Sequence, residues 1–317
     1  MRMMRRTLVA LALVISVVPF TRAGDSIPHG KYLPFTVATD NDPSAQISAW
    51  LLPAPGRAKG TIFFCHGFRN QKGLLVPYEW IRDQLGWNMI LFDFQGHGDS
   101  PQAPGQHICT LGYYEQWDLK AVIDWAEENH LEKPYVCFGV SMGAAISLRW
   151  AGQDPRISGV LAFSPYKTGW DAMHQFHFHK KEMGILPSLI IHGGMKRMMQ
   201  DVDIPAAVAQ RDNLRIWITV GDHDWFPVDD ERAILSASPA PPRLKRLEIL
   251  PDSGHAQNWK WTGNDPFITD FLSKTEASPK RADVMGWRAG GIVAGAVLLS
   301  ILVYRGIRNR RVDSVGT

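Results

Sequence analysis

Short runs of Val, Ile, Leu and Phe punctuate the chain between residues 33 and 250, with amphipathic stretches between them. The runs predict strands at Leu33–Thr39, Gln46–Leu52, Gly60–Cys65, Asn88–Phe92, Tyr135–Phe138, Gly159–Phe163, Leu214–Val220 and Lys245–Leu250. Several are apolar at every position rather than at alternate ones, which is the pattern of strands covered on both faces. Helices are expected to begin near Pro77, Tyr113, Ser141, Asp230 and Pro266. Over residues 113–129, Trp117, Ala121, Val122, Ile123 and Trp125 interleave with charges. Strand and helix in alternation predict an α/β fold, with a mostly parallel eight-stranded sheet flanked by helices. The rhythm breaks once. About fifty residues separate the strand ending at Phe163 from the one beginning at Leu214. A single crossover needs far fewer, so an inserted cap is expected at about 166–211.

Both ends of the chain read as membrane addresses. Arg2, Arg5 and Arg6 precede an apolar run from Leu8 to Phe20, and Thr21-Arg22-Ala23 supplies a small-x-small cleavage signal. Residues 1–23 are therefore expected to be a secretory signal peptide. Near the other end, Ala289 to Tyr304 is uncharged and mostly apolar, Trp287 and Tyr304 flank it, and Arg305, Arg308, Arg310 and Arg311 follow. A transmembrane helix over 288–307 with a cytoplasmic basic tail at 308–317 accounts for this arrangement. Residues 275–287 then form a linker and residues 24–274 a globular domain on the extracytoplasmic side, the periplasmic side in a bacterium.

The formal charge of +3 comes from these ends. Without residues 1–23 and 288–317 the chain keeps 25 basic against 30 acidic residues, a net charge of −5. No basic block lies in the middle, so nothing there suggests nucleic acid as a partner. Three cysteines (Cys65, Cys109 and Cys137) are too few for a disulfide framework. Cys65 and Cys137 fall in predicted strands and read as small core residues.

Four segments carry chemistry, and their order matters more than any one of them. Gly139-Val140-Ser141-Met142-Gly143 lies between the strand YVCF and the helical stretch AAISLRWA. A Gly-Ser turn has the same five letters, but strand, sharp turn and helix together describe a nucleophile elbow. Ser141 is then the nucleophile. Cys65-His66-Gly67-Phe68 follows the strand TIFF. The N–H groups of Phe68 and of Met142 are the candidate donors to an oxyanion. His66 reads as a loop-shaping residue, since it lies far upstream of the nucleophile. Gly221-Asp222-His223-Asp224 follows the strand RIWITV. Asp222, Asp224, Asp229 and Asp230 compete as the acid that orients the base; spacing past the glycine favours Asp224, with Asp222 next. Of the eleven histidines, His255, in Ser253-Gly254-His255, is the one that follows both the acid and a strand end. Ser, Asp and His in this chain order need no metal or cofactor for acyl transfer. In the cap, His174, His177 and His179 lie close enough together to suggest a metal site. No carboxylate or cysteine stands at ligand spacing, so an aromatic cap lining is the preferred reading.

Together with Asp93-Phe94-Gln95-Gly96-His97-Gly98-Asp99-Ser100, these segments resemble the α/β-hydrolase superfamily over roughly residues 30–274. The DxxGHGxS pattern is similar to the monoacylglycerol-lipase-like and serine-aminopeptidase-like branch. Thr110-Leu111-Gly112-Tyr113-Tyr114-Glu115 resembles a segment of its bacterial members. The resemblance implies a structural turn at His97 beside the site and a serine hydrolase that uses Ser141, Asp224 and His255. It does not name a substrate. Carboxylic ester hydrolysis is the expected activity, on a small-molecule ester, lipid or peptide. An aminopeptidase, an acyltransferase and a non-catalytic binding protein on the same fold are the alternatives.

Overall fold

The structure, a computed structural model, describes residues 31–39, 41–42, 44–102, 109–179, 194–257 and 265–276. The expected leader, the linker beyond residue 276, the apolar segment 288–307 and the basic tail lie outside these residues. Among the described residues, no helix is long and apolar enough to cross a membrane.

Eight strands form one sheet: β1 (Leu33–Ala38), β2 (Gln46–Leu52), β3 (Thr61–Cys65), β4 (Asn88–Phe92), β5 (Tyr135–Val140), β6 (Ile157–Phe163), β7 (Arg215–His223) and β8 (Lys245–Gly254). Their spatial order is β1-β2-β4-β3-β5-β6-β7-β8. β1 pairs antiparallel with β2, and β2 with β4; every other pairing is parallel. All eight predicted strands are present.

The continuously apolar runs are explained by burial on two sides. Phe63, Cys65, Ile90, Phe92, Tyr135 and Cys137 pack into one core. Their alternating neighbours Ile62, Phe64, Met89, Leu91, Val136 and Phe138 pack into the other. The first core is covered by α2 (Glu115–Glu128), α3 (Met142–Gln153) and parts of the later helices. The second is covered by α1 (Trp80–Leu85), a 3-10 stretch at Lys72–Glu79, and the last helix, Pro266–Glu276. This three-layer arrangement hides both sheet faces, as a parallel sheet requires.

In the cap region, α4 (Gly169–His179), α5 (Gly194–Asp201) and α6 (Ile204–Val208) are helical. α7 (Val228–Ala237) and α8 (Pro266–Glu276) follow. α8 runs through Glu276, two residues beyond the expected end of the domain. Its last turn sits at the amino ends of the strands: Arg215, the first residue of β7, donates to the Lys274 carbonyl (3.1 Å). Lys59, just before β3, pairs with Glu276 at 3.5 Å.

Two strands are longer than their apolar cores. β7 reaches His223 and β8 reaches Gly254, and these two residues still pair above a shift in register. At Gly221 an added Cβ would stand 2.0 Å from the Ser253 carbonyl oxygen, so the two strand tips approach backbone to backbone. The parallel register also brings Cys65 beside Gly139 and Val140 beside Phe163. The turns after β3, β5, β6, β7 and β8 therefore open along one edge of the sheet.

Candidate active site

Ser141 occupies the turn between β5 and α3 with φ 52° and ψ −113°. A side chain there is strained, at a cost of about 1–3 kcal/mol. The surroundings enforce it. Ser141 N–H donates to the Phe163 carbonyl of β6 (2.7 Å), and its own carbonyl accepts from Ala145 N–H (3.1 Å). A Cβ on Gly139 would meet the Gly143 carbonyl oxygen at 2.4 Å, and one on Gly143 would meet the Cys65 carbonyl oxygen at 2.1 Å. Only glycine lets the strand, the turn and the helix start approach this closely.

The structure brings Ser141, His255 and Asp224 together. Ser141 Oγ lies 2.9 Å from His255 Nε2, and His255 Nδ1 lies 2.7 Å from Asp224 Oδ1. The His255 and Asp224 side chains are almost wholly buried. Asp222 does not face His255: it is exposed, accepts from Ser253 N–H (3.1 Å) and lies 2.8 Å from His223 Nδ1. Asp229 pairs with Arg232, and Asp230 with Lys167. The geometry thus singles out Asp224 among the four acids. Gly67 packs on the elbow: a Cβ there would sit 3.5 Å from Ser141 Cβ. Asn70 N–H closes that turn on the Gly67 carbonyl (3.1 Å). Phe68 therefore lies within a turn packed against Ser141, and Met142 is the buried first residue of α3.

Comparison with known proteins gives the same answer as the fold. Residues 56–195 match the family model described as serine aminopeptidase, S33. The esterase Pf2001 of Pyrococcus furiosus has a similar structure, with a TM-score of 0.59 at 18% identity over 77% of this chain and 90% of that one. The α/β hydrolase GrgF of Penicillium sp. sh18 aligns with a TM-score of 0.60 at 18% identity, over 78% and 99% of the two chains. The chain has the α/β-hydrolase fold, and its residues 56–195 resemble the serine aminopeptidase, S33 family. In sequence, Mycobacterium tuberculosis (strain ATCC 25618 / H37Rv) protein Rv2307c is 23% identical over 258 residues, 80% of each chain.

Burial by itself would raise the carboxyl pKa of Asp224. The adjoining His255, the Ser164 hydroxyl and the Phe226 N–H outweigh it and hold Asp224 below the usual carboxylate range. Among the described residues, no hydrogen bond of ordinary length reaches Asp224 Oδ2. Ser164 is fully buried with φ 52°, and its hydroxyl accepts from Ala256 N–H at 3.1 Å. It therefore ties the loop carrying His255 to the end of β6, beside the strand that leads to Asp224.

His66 shapes the loop, as its position suggests. Phe94 N–H donates to Nε2 (3.1 Å), so Nδ1 carries the proton and donates to the Gly67 carbonyl (2.8 Å). Burial and the neighbouring His97 push its pKa down to about 3, which keeps it neutral. The GHG turn is structural too. Asp93 accepts from Lys72 N–H (2.6 Å), Lys72 Nζ (2.5 Å) and Asp99 N–H (2.8 Å). Lys72 Nζ also reaches Asp99 (2.7 Å) and lies over the Trp50 ring at 4.7 Å. The Glu115 carboxylate accepts from Thr110 N–H, Thr110 Oγ–H and Gly112 N–H, each at 2.8 Å, fixing the entry to α2.

The three cysteines are free. Burial pushes the Cys65 thiol up to about 12, so it stays a neutral core group. Among the described residues, one exposed trio (Asp222, His223 and Asp252) is spaced closely enough to hold a metal. Of the cap histidines, His174 packs edge-on against Trp170 (4.5 Å). The side chains of His177 and His179 lie outside the described residues.

Proposed function

We propose that this α/β-hydrolase is a serine esterase working through an acyl-enzyme. The observation that carries the reading is the unbroken path from Asp224 through His255 to a strained Ser141. His255 Nε2 takes the Ser141 proton as Oγ attacks the carbonyl carbon of the ester. The N–H groups of Met142 and Phe68 face the oxyanion that forms. The imidazolium gives its proton to the departing alcohol. Water then attacks the acyl carbon and gives a proton to His255, which returns it to Ser141 Oγ as the C–Oγ bond breaks and the acid leaves. Asp224, buried and acceptor-only, holds the imidazole in the tautomer that leaves Nε2 ready to accept.

A second reading keeps every residue and changes the second nucleophile. GrgF carries the name polyketide transferase, is 28% identical over 123 residues and covers 38% of this chain and 40% of its own. An alcohol or amine in place of water would make this enzyme an acyltransferase. Aminopeptidase activity is the remaining alternative and requires a site for a free amine. We further propose that the domain is secreted through its leader and tethered by residues 288–307, with the site outside the cytoplasm.

The deciding experiment is labelling of the full chain in detergent with a fluorophosphonate probe, beside Ser141→Ala and His255→Ala. Labelling confined to the unsubstituted enzyme supports the esterase reading, and a p-nitrophenyl ester series then sets the acyl length. No labelling of folded protein, or undiminished ester hydrolysis by Ser141→Ala, overturns it. Protease protection of the 24–274 domain in sealed vesicles tests the topology.

A further inference from the structure

His255 is held by more than its two hydrogen bonds. The Trp225 ring lies face to face on the imidazole, with centroids 4.3 Å apart and planes 14° from parallel. Phe226 meets the same imidazole edge-on at 5.1 Å and 83°. Phe226 is anchored: it is buried, it packs edge-on against Tyr166 (5.7 Å), and the Tyr166 hydroxyl donates to the Leu111 carbonyl (2.8 Å). Trp225 is half-buried, directly follows the acid, and places its aromatic face on the base.

Two consequences follow from this placement. Once Ser141 is acylated, its Oγ no longer has the proton that it shared with Nε2, and Asp224 is the remaining hydrogen-bond partner of the ring. A single hydrogen bond leaves an imidazole able to tilt, and the stacked indole restricts that tilt. When the ring takes a proton it also becomes a cation lying on an electron-rich face, an arrangement that is attractive. We propose that Trp225 is a positioning residue for His255, holding the imidazole plane through the acyl-enzyme stage and dispersing the positive charge it acquires. This rests on the reading of Ser141, His255 and Asp224 as the working triad.

The test uses the full chain and the variants Trp225→Leu and Trp225→Phe. Leucine keeps apolar cover without an aromatic face; phenylalanine keeps the face. In Trp225→Leu, kcat for a p-nitrophenyl ester is expected to fall about tenfold, with KM within about twofold. Trp225→Phe is expected to restore most of the loss. A second readout needs no turnover: in protein carrying 13C-labelled histidine, the His255 ring protons are shifted upfield by the indole, and Trp225→Leu removes the shift. An unchanged kcat in Trp225→Leu overturns the proposal, as does a Phe variant no better than the Leu variant. A missing upfield shift in the unsubstituted enzyme removes this role alone and leaves the esterase reading standing. An intact shift in a protein that neither labels nor hydrolyses removes the esterase reading and this role with it.

Discussion

Ser141 is placed by backbone contacts within and beside one contiguous segment, Gly139 to Ala145, whereas His255 is placed by side chains from several separate ones. Around the serine, carbonyl oxygens and Cα atoms fill the space that any Cβ at 139 or 143 would need. Around the histidine, the partners are the Asp224 carboxylate, the Ser164 hydroxyl acting through Ala256, and the rings of Trp225 and Phe226. The first kind of support cannot change without disturbing the sheet. The second can be altered one side chain at a time. The turn that carries Ser141 is accordingly part of the fold's stability, and His255 is a separable attachment to it.

The sharpest way to probe that contrast is at the serine itself. Ser141→Ala should lower ester hydrolysis by about four orders of magnitude or more. Thermal unfolding should shift by no more than a degree or two, because the backbone contacts remain. Gly143→Ala should do the opposite. Its methyl group would meet the Cys65 carbonyl oxygen at 2.1 Å, and we expect about 3 kcal/mol or more of destabilisation. That corresponds to a melting temperature lower by about 10 °C. A Gly143→Ala enzyme that melts normally would break the comparison on the nucleophile side.

On the base side, Ser164→Ala removes the acceptor for Ala256 N–H. It should lower kcat about tenfold while costing about 1 kcal/mol of stability. Equal and large losses of both would show that the histidine loop is as much part of the core as the elbow.

The smallest effects concern two buried groups that the fold keeps neutral. Glu231 on α7 is fully buried, and among the described residues neither carboxyl oxygen has a hydrogen-bond partner in another residue. Burial first, then the negative charges of Asp224, Asp230 and Asp229, push its pKa up to about 9. The folded protein therefore keeps a proton that the unfolded chain has lost, and stability declines as pH rises from about 4.5 through about 9. Glu231→Gln should raise the melting temperature by about 3 °C at pH 8 and by much less at pH 5. His66 works in the other direction. Its pKa is lowered by burial, so the unfolded chain gains a proton that the folded protein refuses, and stability is lost as pH falls from about 6.5 toward about 3. Melting curves across this range should show both slopes, and Glu231→Gln should flatten the alkaline one alone.

The site was legible in the sequence wherever one short segment encodes it. Glycines at 139 and 143 announce a tight turn, and His66-Gly67-Phe68 announces another, because each demand is local. The choice between Asp222 and Asp224 was less visible, since both follow the same apolar run and only the path of the backbone beyond it brings one of them to His255. The tips of β7 and β8 looked like loops. Pro251, Asp252 and Ser253 stand above the packed layers and form no apolar run, so no pattern marks them, yet His223 still pairs with Gly254. Ser164, Trp225 and Lys72 left no signature at all. Each meets a residue from another element, across the sheet or across a turn, and spacing along the chain carries no record of such a meeting.

The last turn of α8 gives the molecule a polarity. Lys274 and Glu276 reach Arg215 and Lys59, at the amino ends of β7 and β3, while Ser141, Asp224 and His255 stand at the carboxyl ends. The described residues thus end at the pole opposite Ser141. Suspended by that end, as the proposed tether would have it, the domain would hang with Ser141 turned away from the bilayer. It would then meet what arrives from the surrounding space, and the lipids of its own anchorage would lie behind it.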